Sequence, residues 1–330
     1  MKRFVTLSLT GVTLLSLVAL LQAAPVAAQG KLVVASPHAV LFDTGLIFAV
    51  AKEKGFFKEA GLDVDTVIVA GGGENVQALV SGSVQIALAT GTFAVMSAFQ
   101  KGAPVKIIAA EMTGVSDLYW YSQANSPYKK LEDLAGKRVA FSNPGSSSHM
   151  AVLAMVDQVK AKGLPAPQPV SLGRMPDVFT AIKTGQAEAG FAAVPLFLDR
   201  IDTGEIQIAF KGEEIEKLKD VTVRVTFAQR DWADKNSETL RTFLRAYKKT
   251  QDFMLANRQE TARIWIRHGK LKISEATAVK AIGFYTPEAI ALKPIKGLAT
   301  TMEDGVKFKF LSKPLTQDDL DRLIDLRYVP

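Results

Sequence analysis

The chain of 330 residues contains no cysteine and only three histidines. Without cysteine there can be no disulfide, no thiol nucleophile, no thiolate metal site and no lipid anchor on a cysteine. The histidines, at positions 38, 149 and 268, are too far apart in sequence for any recognised metal-binding spacing. We therefore predict a protein with no metal and no other cofactor, stabilised by its hydrophobic core alone.

Long hydrophobic runs are also missing, except at the N-terminus. Lys2 and Arg3 precede an uncharged, largely apolar run over residues 5–21, and small residues follow up to Ala28. This order predicts a secretory signal peptide over residues 1–28, with cleavage after Ala28; a transmembrane anchor is the alternative interpretation. No later stretch reaches the roughly 18 apolar residues of a membrane span, so we expect a soluble protein exported to a periplasm.

The chain has little excess charge of either sign. Removing Lys2 and Arg3 from the 40 basic residues leaves 38 against 33 acidic ones. The excess is spread along the chain, without an arginine-rich run or a basic stripe interleaved with aromatic residues. Nucleic acid is therefore not expected as a partner, whereas small anions are slightly favoured.

Predicted strands and helices alternate from Lys31 to about residue 228, which indicates an α/β fold. One αβ unit occurs twice, as GENVQALVSGSVQIALATG from Gly73 and as PDVFTAIKTGQAEAGFAAV from Pro176. In each copy an acidic residue suits the positive end of the helix dipole, and a glycine (Gly82 or Gly185) ends the helix. Two α/β lobes built on this plan would enclose a crevice suited to a small molecule.

Two segments are predicted to cross between the lobes. The aromatic-rich LYWYS at residues 118–122 is the first crossing, and the alternating VTVRVTFA at residues 221–228 is the second. The first lobe would comprise residues 29–117 and 229–330, with the second lobe, residues 118–228, inserted into it. Two crossings make a natural hinge, and the helical patterns beyond residue 237 are expected to wrap the first lobe.

Four segments carry a family resemblance: EKGFFKEAGLDV, ALVSGSVQIALATG, LEDLAGKRVAFSNPGSSSHM and AIKTGQAEAGFAAVP. They resemble the periplasmic solute-binding proteins of ABC importers, in the branch that includes nitrate, taurine and alkanesulfonate binders and the NMT1/THI5-like domain. The resemblance implies a bilobed type 2 periplasmic-binding-protein fold with a two-segment hinge, and no enzymatic activity. It also implies a small-molecule ligand and an ABC permease through which the protein makes its only membrane contact.

The ligand-binding residues are expected in the loops that follow the strands, because open α/β sheets bind ligands beyond the carboxyl ends of their strands. The first lobe contributes Pro37, His38, Phe42, Gly72, Gly73, Thr90, Gly91 and Thr92. The second lobe contributes Asn143, Gly145, Ser146, Ser147, Ser148, Arg174 and Pro195.

Within this set the loop NPGSSS at residues 143–148 is the strongest candidate for holding an anion. A glycine permits close approach, and a helix start supplies free N–H groups and a positive dipole end. An ordinary helix cap is the alternative. Arg174 is a candidate for pairing with a carboxylate or sulfonate, with a solvated surface arginine as the alternative. His38 is equally well interpreted as a hydrogen-bonded loop residue, and Phe42 as a core aromatic residue.

Capture of a sulfonate, nitrate or aromatic carboxylate is thus the predicted function. Import of a pyrimidine or thiamine-precursor-like solute, presentation of a ligand to a sensory receptor, and a THI5-like synthase are the alternatives. A hydrolase is disfavoured, because adjacent residues of the SSSH sequence at 146–149 do not face each other on a helix and the chain has no GxSxG elbow.

Overall fold

The computed structural model describes residues 31–69 and 72–330. The predicted signal peptide lies outside the described residues. Within the described ranges, no helix combines the length and the apolar character needed to cross a bilayer.

Ten strands and thirteen helices make up the described part of the chain. The strands are β1 Leu32–Ser36, β2 Val64–Ile68, β3 Ile86–Gly91, β4 Val105–Thr113, β5 Leu118–Gln123, β6 Arg138–Phe141, β7 Gln168–Ser171, β8 Gly190–Ala193, β9 Ile206–Lys211 and β10 Thr222–Gln229. The helices are α1 Ile47–Lys54, α2 Phe56–Glu59, α3 Gly72–Val80, α4 Thr92–Gln100, α5 Ser147–Ala161, α6 Met175–Lys183, α7 Leu198–Asp202, α8 Arg230–Lys235, α9 Ser237–Ala256, α10 Arg258–Gly269, α11 Glu275–Ile282, α12 Leu298–Lys307 and α13 Gln317–Leu323. A π-helical turn, Phe42–Leu46, leads into α1.

The first lobe is built on a five-stranded sheet with the order β2-β1-β3-β10-β4. β1 pairs in parallel with β2 and β3, whereas β10 runs antiparallel between β3 and β4. β4 is buried along its whole length because helices cover both faces of the sheet. The predicted second crossing at residues 221–228 is corrected here, since β10 pairs with two strands of the first lobe.

The second lobe contains an antiparallel sheet, β8-β5-β9, and the parallel pair β6-β7. A single bridge between Val139 and Ala189 joins the pair to the sheet. The segment predicted as the first crossing is β5, the central strand of this antiparallel sheet. Its side chains are therefore core residues: Trp120 stacks on Phe210, with 4.7 Å between the ring centroids.

The repeated αβ unit is present as α3 followed by β3 and as α6 followed by β8. Gly82 and Gly185 have φ angles of 78° and 74°, the left-handed conformation expected of glycines that end helices. The strands differ in their pairing, because β3 runs parallel to β1 whereas β8 runs antiparallel to β5. The two copies therefore share a local plan but occupy different kinds of sheet.

The helical tail packs mainly on the first lobe. Phe243 of α9 stacks on Phe57 with 5.6 Å between ring centroids, and the Tyr247 hydroxyl donates to the Asp43 carbonyl at 2.6 Å. The tail also reaches the second lobe, where Lys307 of α12 lies 2.6 Å from Asp157 of α5. It therefore touches both lobes rather than wrapping the first alone.

Candidate functional site

A cavity of about 60 Å³ lies between the lobes. It is lined by the loop after β1, the end of β3, the start of α5 and the start of α6. Seven of the residues predicted from sequence contribute to its wall: Pro37, His38, Gly91, Ser146, Ser147, Ser148 and Arg174. The rule that ligands sit beyond the carboxyl ends of strands thus leads to the same region of the molecule as the cavity does.

Phe42 is placed elsewhere. Its ring is buried, stacks on Tyr285 at 4.5 Å and meets the edge of Trp265 at 5.8 Å. A side chain held between two tail aromatics cannot also form the cavity wall, so the core interpretation of Phe42 replaces the ligand-binding one.

Thr90 and Thr92 are fully buried and serve the first lobe internally. The Thr90 hydroxyl accepts from the Asn75 amide at 2.8 Å, and the Thr92 hydroxyl donates to the Thr222 carbonyl at 2.7 Å. The Thr90 hydroxyl therefore holds α3 against β3, and the Thr92 hydroxyl holds the start of α4 against β10. Of the predicted TGT loop, Gly91 alone lines the cavity.

The remaining predicted residues lie beside the cavity or away from it. Gly72 and Gly73 form the start of α3, and Gly73 is exposed. Pro195 is buried after a cis peptide bond, and the carbonyl of the preceding Val194 accepts from the Tyr285 hydroxyl at 3.1 Å. The Asn143 carbonyl accepts from the Ser146 N–H at 3.1 Å, which closes the turn before α5. None of these four residues lines the cavity in the described structure.

The three serines before and within α5 have different roles. The Ser146 hydroxyl caps the helix by accepting from the His149 N–H at 3.1 Å. The Ser148 hydroxyl bonds to Ser142, accepting from its N–H at 3.0 Å. The Ser147 hydroxyl makes no hydrogen bond within residues 31–69 and 72–330, and Ser147 lines the cavity. The cap interpretation therefore applies to Ser146, whereas Ser147 has a hydroxyl available for a ligand.

Two glycines bring the lobes into contact beside the cavity. A Cβ atom placed on Gly91 would lie 2.1 Å from the Gly145 carbonyl oxygen and 2.8 Å from Ser146 Cα. Gly145 has a φ of 82°, and a Cβ there would lie 3.2 Å from the Ala94 nitrogen. Only a residue without a side chain at position 91 permits this backbone contact. Gly145 does not line the cavity. It forms part of the contact between the two lobes beside the cavity.

Arg174 lies at the rim of the cavity. Its side chain is 64% exposed, and its Nε lies 3.1 Å from the Asp177 carboxylate. An exposed pair of this kind contributes little to stability, and the guanidinium keeps other N–H donors free to turn toward a ligand.

A cluster of buried charges that was not predicted from the sequence lies at the first-lobe side of the cavity. Arg224 of β10 and Asp43 of the π-helical turn line the cavity and are only 5% and 2% exposed. Arg224 Nη2 lies 2.7 Å from Asp117 Oδ2 and 3.5 Å from Asp43 Oδ2. The signal was present in the sequence, because an arginine in the middle of the apolar strand VTVRVTFA must be paired if that strand is buried on both faces.

Glu111 of β4 completes this cluster. Its Oε2 accepts from the Thr226 hydroxyl at 2.8 Å and also from the Ala89 N–H. Burial, together with the nearby Asp43 carboxylate, raises the pKa of Glu111 to about 8. Burial lowers the pKa of His38 to about 4, and the charge of Arg224 acts in the same direction. At neutral pH His38 is therefore uncharged and Glu111 is mostly protonated.

We expect Glu111→Gln to flatten the dependence of stability on pH. The pKa of Glu111 is about 8 in the folded chain against a usual value of 4.5, so the folded chain binds more protons between these pH values. The free energy of unfolding contributed by this group is therefore greatest below pH 4.5 and decreases as pH rises toward 8. Glutamine mimics the protonated acid and removes this slope.

Urea unfolding of both proteins at several pH values between about 5 and 8 measures the effect. The opposing contribution of His38 is the same in both proteins and cancels in the difference. Equal slopes for Glu111→Gln and the unsubstituted protein would show that Glu111 is ionised in the fold.

Potential metal ligands are not gathered in this region: in the described part of the chain, no group of three or more His, Asp or Glu side chains is arranged to hold an ion. The residues that line the cavity can recognise a ligand by hydrogen bonds and by charge. One wall offers the start of α5, and the opposite wall offers a buried carboxylate.

The chain is similar in sequence and in fold to known proteins. The model of the NMT1/THI5-like family matches residues 44–261, about two thirds of the chain. The candidate binding protein YtlA of Bacillus subtilis (strain 168) is 25% identical over 208 residues, which are 62% of this chain and 61% of that protein. The chain thus matches about three fifths of this relative's length.

Two solved structures share the whole fold. The periplasmic aliphatic sulphonate binding protein SsuA of Escherichia coli is 19% identical, with a TM-score of 0.69 over 89% of this chain and 92% of that one. The periplasmic nitrate-binding protein NrtA of Synechocystis PCC 6803 is 18% identical, with a TM-score of 0.66 over 92% and 87%. These relatives are named as binding proteins and not as enzymes. With the fold of periplasmic binding proteins and a family match over most of its length, the chain belongs to the NMT1/THI5-like family.

Proposed function

We propose that this protein captures a small anion between its two lobes in the periplasm and delivers it to an ABC permease. The observation that carries the proposal is the start of α5, where Ser147 presents an uncommitted hydroxyl to the cavity. A helix of 15 residues has free N–H groups and a positive dipole end at this point, which favour an anionic group. Arg174 at the rim adds a nearby positive charge.

The structural neighbours support the same chemistry. One is named for binding aliphatic sulphonates and another for binding nitrate. Both groups are compact anions with several acceptor oxygens, which suits a site made of N–H groups and a hydroxyl. The cavity of about 60 Å³ has room for more than one water molecule and so for a small ligand.

The hinge is proposed at residues 114–117 and 219–221. These segments lie side by side, with the Gly114 N–H donating to the Val221 carbonyl at 2.9 Å. They connect β4 to β5 and lead from the second lobe into β10. Opening at these two short segments would separate Gly91 from Gly145 and admit the ligand, which fits the usual mode of domain closure. The second lobe would then comprise residues 118–218.

Calorimetric titration of refolded protein tests the proposed function. The ligands are methanesulfonate, ethanesulfonate, nitrate, benzoate and a neutral pyrimidine. We expect one site per chain and heat of binding with at least one of the anions. Binding of the pyrimidine alone, with no heat from any anion, would contradict anion capture and would favour the alternative solute class.

Substitution of single serines separates ligand binding from helix capping. Ser147→Ala is expected to weaken anion binding by about ten- to a hundredfold, because it removes one hydrogen bond to a charged group, with little change in thermal stability. Ser146→Ala is the matched control, and it is expected to lower the free energy of unfolding by about 1 kcal/mol through loss of the cap. Calorimetry and thermal unfolding of both variants distinguish these outcomes. Unchanged affinity in Ser147→Ala would remove that hydroxyl from the site.

A further inference from the structure

His149, the third residue of α5, lies where the second lobe meets the first. Its ring stacks on Phe141 of β6 with 3.9 Å between the centroids, and it lies nearly perpendicular to the ring of Phe310 at 5.4 Å. Phe310 follows α12 in the helical tail and stacks on Phe93 of α4 at 4.9 Å. The four rings form a continuous row, and the contact between His149 and Phe310 is the point at which this row crosses between the lobes.

His149 also fixes the loop that brings the two backbones together. Its Nδ1 accepts a hydrogen bond from the Gly145 N–H at 3.1 Å. Because a backbone N–H can only donate, Nδ1 carries a lone pair and the ring is neutral, with its proton on Nε2. Gly145 is the residue whose carbonyl oxygen lies against Gly91. The one side chain therefore supports both the backbone contact and the ring contact between the lobes.

Protonation of His149 would weaken both contacts. An imidazolium carries hydrogen on both ring nitrogens, so Nδ1 could no longer accept from the Gly145 N–H. The charge would also lie between two phenylalanine rings, in a half-buried position with little access to water. Burial accordingly lowers the pKa of His149 to about 4. The closed arrangement therefore requires the neutral ring.

The charged groups on the elements packed around His149 do not determine its protonation. They are Arg138 of β6, Asp157 of α5, Arg224 of β10, and Lys307 and Lys309 of the tail. Arg138 pairs with Glu188 at 2.7 Å, and Lys307 pairs with Asp157 at 2.6 Å. The charge of Arg224 acts on His38, whereas burial is the cause that lowers the pKa of His149. The protonation of His149 therefore depends on how far its ring is buried.

We propose that His149 is a positioning residue for ligand capture, which holds the lobes closed as a neutral imidazole and releases them when it is protonated. The inference rests on the proposed function, in which the lobes close on a ligand. His149 does not line the cavity, so it acts through Gly145 and Phe310. Opening at the hinge would uncover the face of the ring that meets Phe310, and the open form would bind a proton more readily than the closed form.

The direction of the pH effect follows from this difference. The pKa of His149 is about 4 in the closed form and moves toward the usual value of 6.5 as the ring is uncovered. The closed form therefore binds fewer protons between these two pH values. Closure, and with it ligand affinity, is strongest above pH 6.5 and decreases as pH falls toward 4.

Calorimetric titration with methanesulfonate, ethanesulfonate, nitrate and benzoate tests this role in the unsubstituted protein and in His149→Asn. The asparagine carbonyl can accept from the Gly145 N–H in place of Nδ1, but it cannot be protonated. We expect the loss of affinity between about pH 7.5 and about pH 5 to be about three- to thirtyfold greater in the unsubstituted protein than in the variant. Asp43 and Glu111 also have shifted pKa values, but they are present in both proteins and cancel in the comparison.

Two further variants separate the hydrogen bond and the charge from a loss of fold. His149→Phe keeps a ring against Phe310 but has no acceptor, so it is expected to bind more weakly than the unsubstituted protein at neutral pH. Equally tight binding by His149→Phe would overturn the role of the hydrogen bond. His268→Asn is the matched control, because it replaces an exposed histidine whose Nε2 lies 2.8 Å from the Ala39 carbonyl, and it is expected to keep the pH dependence of the unsubstituted protein. Thermal unfolding at both pH values shows whether each variant remains folded.

A measurement without ligand separates this inference from the proposed function. Because the chain has no cysteine, Lys101→Cys and Lys129→Cys can carry one spin label on each lobe, both at exposed positions. The distance between the labels is expected to increase at low pH in the otherwise unsubstituted protein and to stay constant in His149→Asn. A distance that responds equally in the two proteins, or in neither, would overturn the role of His149 and leave anion capture intact, as would an equal pH dependence of affinity. No heat from any anion would overturn anion capture, and the label distances would then decide the role of His149 by themselves.

Discussion

Replacing Arg224 with methionine is expected to lower the free energy of unfolding by about 3–5 kcal/mol at neutral pH. The guanidinium is buried between the Asp117 and Asp43 carboxylates, which raise its pKa above the usual value even though burial acts in the opposite direction. Methionine keeps much of the side-chain volume but removes the charge. The Asp117 and Asp43 carboxylates then have no cation within ion-pair distance among the residues that the structure describes.

Urea unfolding followed by circular dichroism measures this loss, with Arg241→Met as the matched control. Arg241 forms an exposed pair with Glu238 at 2.7 Å on α9, and its replacement is expected to change stability by less than about 1 kcal/mol. Adding Asp117→Asn to Arg224→Met should restore part of the lost stability, since one uncompensated charge is removed. Equal effects of the two single arginine substitutions would show that the buried pair contributes no more than a surface pair.

Replacing Gly91 with alanine is expected to weaken ligand binding by about ten- to a hundredfold while leaving the fold intact. A Cβ at this position would lie 2.1 Å from the Gly145 carbonyl oxygen, closer than real Cβ atoms approach any other group. The obstacle is backbone and not the flexible end of a side chain, so the lobes themselves must move apart. A ligand held by both lobes would then lose contacts to one of them.

Small-angle scattering with and without a saturating ligand tests this expectation alongside calorimetry. The unsubstituted protein should become more compact on binding, and the Gly91→Ala variant should not. Gly73→Ala is the matched control, because Gly73 is exposed, lies outside the cavity wall and has nothing within 4 Å of a Cβ placed on it among the described atoms. Normal affinity and normal compaction in the Gly91→Ala variant would show that closure does not need the glycine contact.

The serine loop at residues 143–148 shows which structural features the local sequence can predict. NPGSSS correctly indicated a loop followed by a helix start, because these depend on neighbouring residues. It could not rank the three hydroxyls, since their use depends on where His149 and Ser142 lie in the turn. Thr90 and Thr92 show the same limit, because their partners Asn75 and Thr222 come from other elements.

The buried charges were harder to anticipate than the loops. Asp43, Asp117 and Arg224 lie far apart in the chain, and the alternating pattern of residues 221–228 predicts a crossing between lobes instead of a buried strand. Once β10 is placed between β3 and β4, an arginine at its centre requires buried partners. Arg224 and its buried partners were therefore not predicted because β10 was expected to cross between the lobes and not to lie within the first-lobe sheet.

The repeated αβ unit separates the features that can be predicted from sequence from those that depend on tertiary structure. The sequence alone was sufficient for the alternation of strands and helices, the glycines that end α3 and α6, and the family, because each depends on local residue pattern. Tertiary structure decided that β3 and β8 join different kinds of sheet, that Gly91 meets Gly145, and that Asp43 and Arg224 line the cavity. Those outcomes depend on pairing between segments distant in the chain, which no local pattern encodes.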